Sequence, residues 1–382
     1  MTRHLVGLID GTRVSASRVA SESSYSNVFE LACLLQLQQE SETGDPQIVF
    51  YTSGISSQPD NSSFFNLATG NSIMSQIIDQ YTNICSNFDF KAAADGKPDK
   101  IYLIGFSRGA MAIRALAGLI AEFGLLEPRH IYRLPEVLDA WSRSIGKSNL
   151  TKTIDLQNVE VEFVGLFDSV MGGVEWLSIF NPIRFKHLEL PARCRNAVQI
   201  LAIDENRPHF KHKFWDGAEV RETDKEFEAT RNLRQVWMPG VHSDVGGTGN
   251  PIWGNASFLA MTFFIEKYTH LAINKEELVK KEYKFREASR VRKYFIEPHR
   301  GLFNKYKRGP INSPQAGEWH HPICSALQAI NFAGMDRFAW HDRIFNQRFP
   351  DSKVDPDLES YFAQVIGGGQ SAVTSSASYT KA

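Results

Sequence analysis

One short turn limits the fold more than any other feature of the sequence. Residues 101–104 (IYLI) form an apolar run, Gly105-Phe106-Ser107-Arg108-Gly109 follow, and an Ala-rich apolar pattern with helical spacing continues to residue 120. Glycines on both sides of a serine permit a strained backbone and let a helix pack closely on the preceding strand. The pattern predicts a strand-to-helix turn that presents Ser107 as a nucleophile. A tight turn with a capping serine is the alternative.

Apolar runs alternate with helical patterns through the first 250 residues. The runs stand at residues 5–9, 47–51, 101–104, 159–168, 197–204 and 233–244, and the last three end in polar residues. Continuous apolar runs are typical of parallel strands that are covered on both faces. We therefore predict an α/β, α/β-hydrolase-like fold, with a mostly parallel central sheet, helices on both faces and a helical C-terminal insertion or cap.

The sequence divides into three predicted parts. Residues 1–250 form the α/β-hydrolase core, residues 251–365 a helical C-terminal cap or extension packed on it, and residues 366–382, rich in Gly and Ser, a flexible tail. The four cysteines have no zinc-type spacing, which favours free thiols. The first apolar run is too short for a signal peptide, so we expect a soluble protein made in the cytoplasm, with export possible by a signal-peptide-independent route.

A nucleophilic serine needs a base and an orienting acid further along the chain. His242, in the Gly-rich segment PGVHSDVGG, is the predicted base, and a loop histidine bound by Asp244 is the alternative. Asp168 and Asp204 each follow a predicted strand, and either position is workable for the acid. The residue pattern alone leaves the choice between them open.

The predicted reaction also needs backbone N–H groups for an oxyanion. Arg108, directly after the serine, is one candidate, and Gly11 or Thr12 in the loop after the first strand is the other, with an ordinary turn as the alternative. Asp10 and Gly54 lie in loops that follow predicted strands and should line or support the same site.

Charge distribution limits the partners. Lys plus Arg total 42 against 43 Asp plus Glu, a net charge of −1, so no overall field attracts nucleic acid. Between Lys280 and Arg308, however, eleven basic residues stand against three Glu, which could hold an anionic membrane surface or form a solvated helical face. Arg108 and Arg114, beside the serine turn, could meet a substrate phosphate, or order the turn instead.

Several motifs in one order resemble a family of α/β hydrolases that includes the class 1 type VI secretion lipase effectors. The motifs are LIDGT, PQIVFYTSGISS, YLIGFSRGAMAIRALAGLI, VGLFDSV, AVQILAIDENRPHF and VWMPGVHSDVGG. The resemblance implies that Ser107 is the nucleophile, Asp168 the acid and His242 the base. Asp204 would then be structural, for example paired with Arg207. It also implies an ester hydrolase acting on lipid or other acyl-ester substrates, with no cofactor.

Two other classes of function remain open from the sequence. Asp10, Asp168, His242 and Asp244 offer oxygen and imidazole ligands on one rim, which would suit a metal-assisted hydrolase, although the serine turn would then have no purpose. A non-catalytic member of the fold could instead use its helical C-terminal half to bind a protein partner. The apparent set of nucleophile, base and acid favours the esterase, without a metal.

Overall fold

A computed structural model places the sequence on one central parallel sheet. It describes residues 2–12, 14–18, 25–36, 44–55, 70–143, 145–147, 150, 154–170, 190–191, 193–205, 207, 210, 212–213, 215, 231–290, 319–320 and 353–367. Within these residues the sheet has eight strands, all paired in parallel. The predicted α/β-hydrolase-like fold is confirmed.

The strand order explains where a crevice forms. The strands are β1 (His4–Ile9), β2 (Gln47–Thr52), β3 (Lys100–Phe106), β6 (Val161–Phe167), β7 (Cys194–Ala202), β8 (Asn232–Met238), β9 (Trp319–His320) and β10 (Lys353–Val354), in the order β10-β9-β8-β7-β6-β3-β1-β2. From β1 the chain first adds β2 on one side and then β3 on the other. The loops after β1 and β3 therefore diverge, and a crevice opens between their carboxyl ends.

Helices cover both faces of the sheet. They are α1 (Asn27–Gln36), α2 (Gly70–Asn87), α3 (Phe90–Ala94), α4 (Arg108–Phe123), α5 (Leu134–Ser142), α6 (His242–Val245), α7 (Pro251–Tyr268), α8 (Lys275–Arg290) and α9 (Pro356–Gly367). Short 3-10 turns span Ala16–Arg18 and Pro128–Arg133, and strands β4 (Leu125–Leu126) and β5 (Leu156–Gln157) form a small antiparallel pair.

Two hydrophobic cores follow from the alternation of side chains along each strand. Leu5 and Ile9 of β1 join the core formed with α2, α4 and α5, whereas Val6 and Leu8 join the core formed with α1, α7, α8 and α9. All four side chains are fully buried. Successive strand residues point to opposite faces, so a strand covered on both sides is apolar along most of its length.

Residues after 250 contribute to the sheet as well as cover it. Helix α7 packs against β6, β7 and β8, and β9 and β10 extend the sheet beyond β8. The sheet thus continues past the end of the predicted core at residue 250. Helix α9 ends at Gly367, just inside the predicted tail, and residues 368–382 lie outside the described residues.

Two further features of the described residues concern membrane-spanning helices and thiols. No helix in this part of the chain combines the length and the apolar character needed to cross a bilayer. Cys33, Cys85 and Cys194 are free thiols, and Cys324 lies outside the described residues.

The glycines of the serine turn are needed because backbones approach closely there. A Cβ atom on Gly105 would lie 2.8 Å from the backbone nitrogen of Ala110, and one on Gly109 would lie 2.4 Å from the carbonyl oxygens of Ile9 and Asp10. Both distances are shorter than the 3.0 Å below which Cβ atoms essentially never approach other heavy atoms. The two glycines therefore set how closely α4 packs on β3 and β1.

We predict that Gly109→Ala destabilises the protein by about 1–3 kcal/mol, because backbone atoms must move to accept the methyl group. Urea unfolding followed by circular dichroism measures the change. Gly118→Ala is the matched control, since Gly118 lies in the same helix at a partly exposed position. That variant should keep its stability or gain up to about 1 kcal/mol. Equal stability of the two variants would contradict the packing explanation.

Candidate functional site

Ser107 stands in a strained backbone conformation between β3 and α4. Its φ is 58° and its ψ −124°, a region that residues with a side chain rarely adopt. The residue is only 6% exposed. The close contacts of Gly105 and Gly109 hold the strain in place, and the N-terminus of α4 starts at the next residue.

Ser107 belongs to a chain of hydrogen bonds with the predicted base and acid. His242 Nε2 lies 2.8 Å from Ser107 Oγ, and His242 Nδ1 lies 2.6 Å from Asp168 Oδ2. With its proton on Nδ1, the imidazole donates to Asp168 and accepts from the serine hydroxyl. The ring centroid is 4.8 Å from those of Phe106 and Phe210, which restrict its rotation. The structure thus joins three segments that are far apart in the sequence.

Asp168 is fully buried and surrounded by donors. It follows β6 with a positive φ of 45°. Its Oδ1 atom accepts a hydrogen bond of 3.0 Å from the backbone nitrogen of Ala202 and lies 2.8 Å from His212 Nδ1. Burial alone would raise the pKa of Asp168, but His212 and His242 together outweigh it and hold the pKa well below its usual range. This carboxyl group is therefore ionised.

The loop that carries His242 is held by acidic side chains. Asp244 accepts hydrogen bonds from the backbone nitrogens of Val241 (2.9 Å) and Asn250 (2.7 Å), so it shapes the loop around His242. Asp204 accepts from the nitrogen of Gly240 at 2.7 Å. Both aspartates act on the backbone of the loop that positions the imidazole.

A residue that the sequence interpretation did not select, Glu205, holds His242 directly. Its Oε2 accepts from the backbone nitrogen of His242 at 3.2 Å, and its carboxylate pairs with Arg207 over 2.8 and 2.7 Å. The guanidinium of Arg207 thus binds Glu205, the neighbour of the Asp204 that the sequence suggested as its partner. Burial raises the pKa of Glu205, but the hydrogen bonds from Arg207 outweigh it and keep the pKa below its ordinary value.

The loop after β1 contains both candidate oxyanion donors, Gly11 and Thr12, and the N–H group of one of them is already hydrogen-bonded. The N–H of Gly11 donates to Asp10 Oδ1 at 2.7 Å, so it is already bound by a carboxylate. That leaves Thr12 as the candidate from this loop. A Cβ on Gly54 would lie 1.6 Å from the carbonyl oxygen of Gly11, so glycine is required where the two loops meet. Arg108 is the first residue of α4, where helix N–H groups point out of the helix.

Asp10 is a buried carboxyl with hydroxyl donors around it. Ser26 Oγ and Tyr51 Oη donate to its Oδ2 at 2.5 and 2.8 Å, and Gly11 donates to its Oδ1. Burial raises its pKa to about 6, against the opposing effect of these hydrogen bonds. Asp10 therefore supports the loop of Gly11 and Thr12 from inside the protein.

The side chain of Arg114 lies in the protein interior. Its side chain is buried, with Nη1 donating to the carbonyl oxygen of Lys213 at 2.6 Å and to Ser169 Oγ at 3.3 Å. The guanidinium also lies over the ring of Trp215, 5.2 Å from its centroid. These contacts favour the alternative in which Arg114 supports the site, since it holds the segment next to Asp168.

The acidic residues proposed as metal ligands are dispersed. Among the described residues, no three His, Cys, Asp or Glu side chains are arranged to hold a metal ion. Asp10 binds hydroxyls and Gly11, Asp244 binds backbone nitrogens, and Asp168 binds imidazoles. Each carboxylate thus has its own protein partners in this part of the chain.

We predict that ionisation of the buried Asp10 lowers the free energy of unfolding as the pH rises. Because its folded-state pKa, about 6, exceeds the ordinary value of 3.8, the folded state binds more protons than the unfolded state between these values. The stability that wild type has relative to Asp10→Asn should fall from about pH 4 to about pH 6, by up to about 3 kcal/mol, and stay constant above. Urea unfolding of both proteins at pH 4, 5, 6 and 7.5 measures it. A pH-independent difference would contradict the raised pKa.

Comparisons with known proteins identify one matching family model and several similar proteins. The family model described as "T6SS, Phospholipase effector Tle1-like, catalytic domain" matches residues 3–267. The uncharacterized protein YEL023C of Saccharomyces cerevisiae is 26% identical over 234 residues, which are 55% of this chain and 32% of that protein. The chain thus spans about a third of the length of this curated relative.

Solved structures with similarity to the chain include an uncharacterized protein from Pseudomonas aeruginosa and esterase 2 from Thermogutta terrifontis. The first is 15% identical, with a TM-score of 0.44, covering 96% of this chain and 66% of the other. The second is 13% identical, with a TM-score of 0.38, covering 72% of this chain and 86% of the other. Since the family model matches well over half of its 382 residues, the chain belongs to the family of Tle1-like phospholipase effector catalytic domains of the type VI secretion system.

Proposed function

We propose that this protein is a serine hydrolase that cleaves carboxylic esters of lipids or phospholipids. The observation that carries the proposal is the continuous chain of hydrogen bonds from Ser107 Oγ through His242 to Asp168. The name of the family, which specifies a phospholipase effector, supports a lipid as the source of the ester. The ion-pairing and burial of Asp168 support its role as the acid.

In the first half of the proposed reaction, His242 takes the proton of Ser107 as Oγ attacks the ester carbonyl. Asp168 holds the imidazole with its proton on Nδ1 and stabilises the imidazolium that forms. The tetrahedral oxyanion receives hydrogen bonds from the N–H groups of Arg108 and Thr12, close to the N-terminus of α4. The alcohol leaves with the proton from His242, and the acyl group stays on Ser107.

In the second half, water replaces the alcohol. His242 takes a proton from the water molecule as its oxygen attacks the acyl-enzyme carbonyl, and the same N–H groups stabilise the new oxyanion. The bond to Ser107 Oγ then breaks, and His242 returns the proton to the serine. A fatty acid leaves, and the enzyme returns to its starting state.

We predict that Ser107→Ala lowers the turnover of acyl esters by several orders of magnitude, because the attacking atom is removed. A panel of phospholipids, lysophospholipids, triacylglycerols and p-nitrophenyl esters, with products identified by mass spectrometry, measures the loss and identifies the substrate class. Ser142→Ala, at a partly exposed position at the end of α5, is the control and should retain full activity.

A second measurement separates the serine hydrolase from the other function classes. A fluorophosphonate should label Ser107 covalently in the wild-type protein, and a chelator should leave both labelling and hydrolysis unchanged. Activity that survives in a folded Ser107→Ala variant would overturn the proposed mechanism. Activity lost with the chelator would favour a metal-assisted reaction, and no hydrolysis of any ester would favour a binding protein.

The surface of α8 supports an anionic membrane as the place where the substrate is met. Val279 and Tyr283 are about half exposed, and the exposed Lys280 and Lys284 lie beside them at helical spacing. Lys280 pairs with Glu277, whereas Lys281 is engaged with Glu30 of α1 and thus helps to fix α8 on the protein. The remainder of the predicted basic stretch, residues 291–308, lies outside the described residues.

We predict that Lys280→Glu/Lys284→Glu lowers binding to phosphatidylglycerol vesicles by roughly 10-fold or more, because each basic residue near an anionic surface contributes about 1 kcal/mol. Co-sedimentation with vesicles of phosphatidylglycerol and phosphatidylcholine, at low and high salt, measures it. Hydrolysis of a soluble p-nitrophenyl ester by this variant should be unchanged. Wild-type binding that is independent of lipid charge and salt would contradict the membrane role of α8.

A further inference from the structure

The acid of the candidate site has two histidine partners, and the proposed reaction uses only one of them. Asp168 Oδ2 binds His242, which contacts Ser107. Asp168 Oδ1, on the opposite side of the carboxylate, lies 2.8 Å from Nδ1 of His212. The side chain of His212 is only 2% exposed and that of Asp168 is fully buried. The second imidazole is therefore part of the protein interior behind the site.

Backbone pairing fixes the position of His212. Its segment forms an antiparallel bridge with Val170, and the nitrogen of Lys213 donates to the carbonyl oxygen of Ser169 at 3.1 Å. The carbonyl oxygen of Lys213 in turn accepts from Arg114 at 2.6 Å and from Gln199 Nε2 at 3.0 Å. The segment that carries His212 is thus bound directly to the residues that follow Asp168.

The charges around His212 favour its protonated form. Asp168 and Glu205 are the carboxylates that act on it, and they, together with the backbone of Ala202, raise its pKa against the opposing effect of burial. His242 lies across the Asp168 carboxylate, and the aromatic ring of Trp237 meets the His212 ring edge-on at 5.3 Å. A protonated His212 would balance the buried charge of Asp168 from the side opposite His242.

We propose that His212 is a positioning residue of the hydrolase: it holds Asp168 through Oδ1 and so directs Oδ2 at His242. A carboxylate with one bound oxygen can rotate about its side-chain bonds, whereas one held at both oxygens keeps its orientation. The hydrogen bond from Ala202 reaches the same Oδ1 atom and acts together with His212. The inference rests on the proposed function and adds a residue to it.

Two substitutions test the contact. His212→Phe keeps a planar ring and removes both nitrogens, whereas His212→Asn places an amide donor near the position of Nδ1. We expect His212→Phe to lower kcat for p-nitrophenyl butyrate on the order of 100-fold, with little change in KM, because the reacting groups lose their alignment. His212→Asn should recover most of that loss. The rate of fluorophosphonate labelling should follow kcat.

A buried histidine elsewhere provides the matched control. His4 is also buried, and its Nδ1 is 2.7 Å from Tyr102 Oη at the start of β1, the end of the sheet away from the site. His4→Phe should change the free energy of unfolding and leave kcat unchanged. If His212→Phe fails to fold, His212→Gln, whose amide lies one bond further out, replaces it and should show the same loss.

The outcomes separate the inference from the proposed function. Ser107→Ala must be inactive for either to stand. If Ser107→Ala is inactive but folded His212→Phe has wild-type kcat, the role of His212 is overturned and the hydrolase stands. An equal loss in His212→Phe and His212→Asn also overturns the role, because the donor would not matter. If folded Ser107→Ala is active, the hydrolase mechanism itself is overturned.

Discussion

The buried carboxylate of Asp168 is the interaction on which the rest of the site depends. An isolated charge in a protein interior is strongly unfavourable, so its oxygens must be surrounded by donors. The partners of the Asp168 carboxylate are the N–H of Ala202 at the end of β7, the imidazole of His212 at ion-pair distance, and the imidazole of His242. The carboxylate can be buried only in a fold that brings these three parts of the chain together. Once it is buried, it fixes the imidazole that contacts Ser107.

The fold could be predicted from the sequence because its main signal is local. Apolar runs such as those of β1 and β3 are long enough to be recognised as strands buried on both faces, and Gly105 and Gly109 mark a turn that only close packing requires. Strands β9 and β10 could not be predicted in the same way. Each has two residues, and their place in the sheet depends on pairing rather than on periodicity.

The residues of the candidate site that follow strands could be predicted from the sequence. Ser107 and Asp168 end β3 and β6, and His242 follows β8 after a short loop, so a parallel sheet brings them to one edge. The sequence could not choose between the two roles of Arg114, because it lies seven positions after Ser107, a rise of about 10 Å along α4, and its partners Ser169 and Lys213 come from distant segments. His212 carries no periodic signal, since its position depends on backbone pairing with Val170, 42 positions earlier in the chain.

Local hydrogen bonding explains why Gly11, a predicted candidate oxyanion donor, is bound within the protein instead. An aspartate side chain can bind a neighbouring backbone N–H, and Asp10 does so with Gly11, so the Gly11 N–H is not available to an oxyanion.

The positive φ angles at Ser107 and Asp168 have a consequence for stability. Such conformations cost on the order of 1–3 kcal/mol each for residues with a side chain, and glycine would adopt them with little strain. At Asp168 the contacts of the buried carboxylate offset this strain, whereas at Ser107 it is a cost in stability, so reactivity and thermostability are competing demands at Ser107.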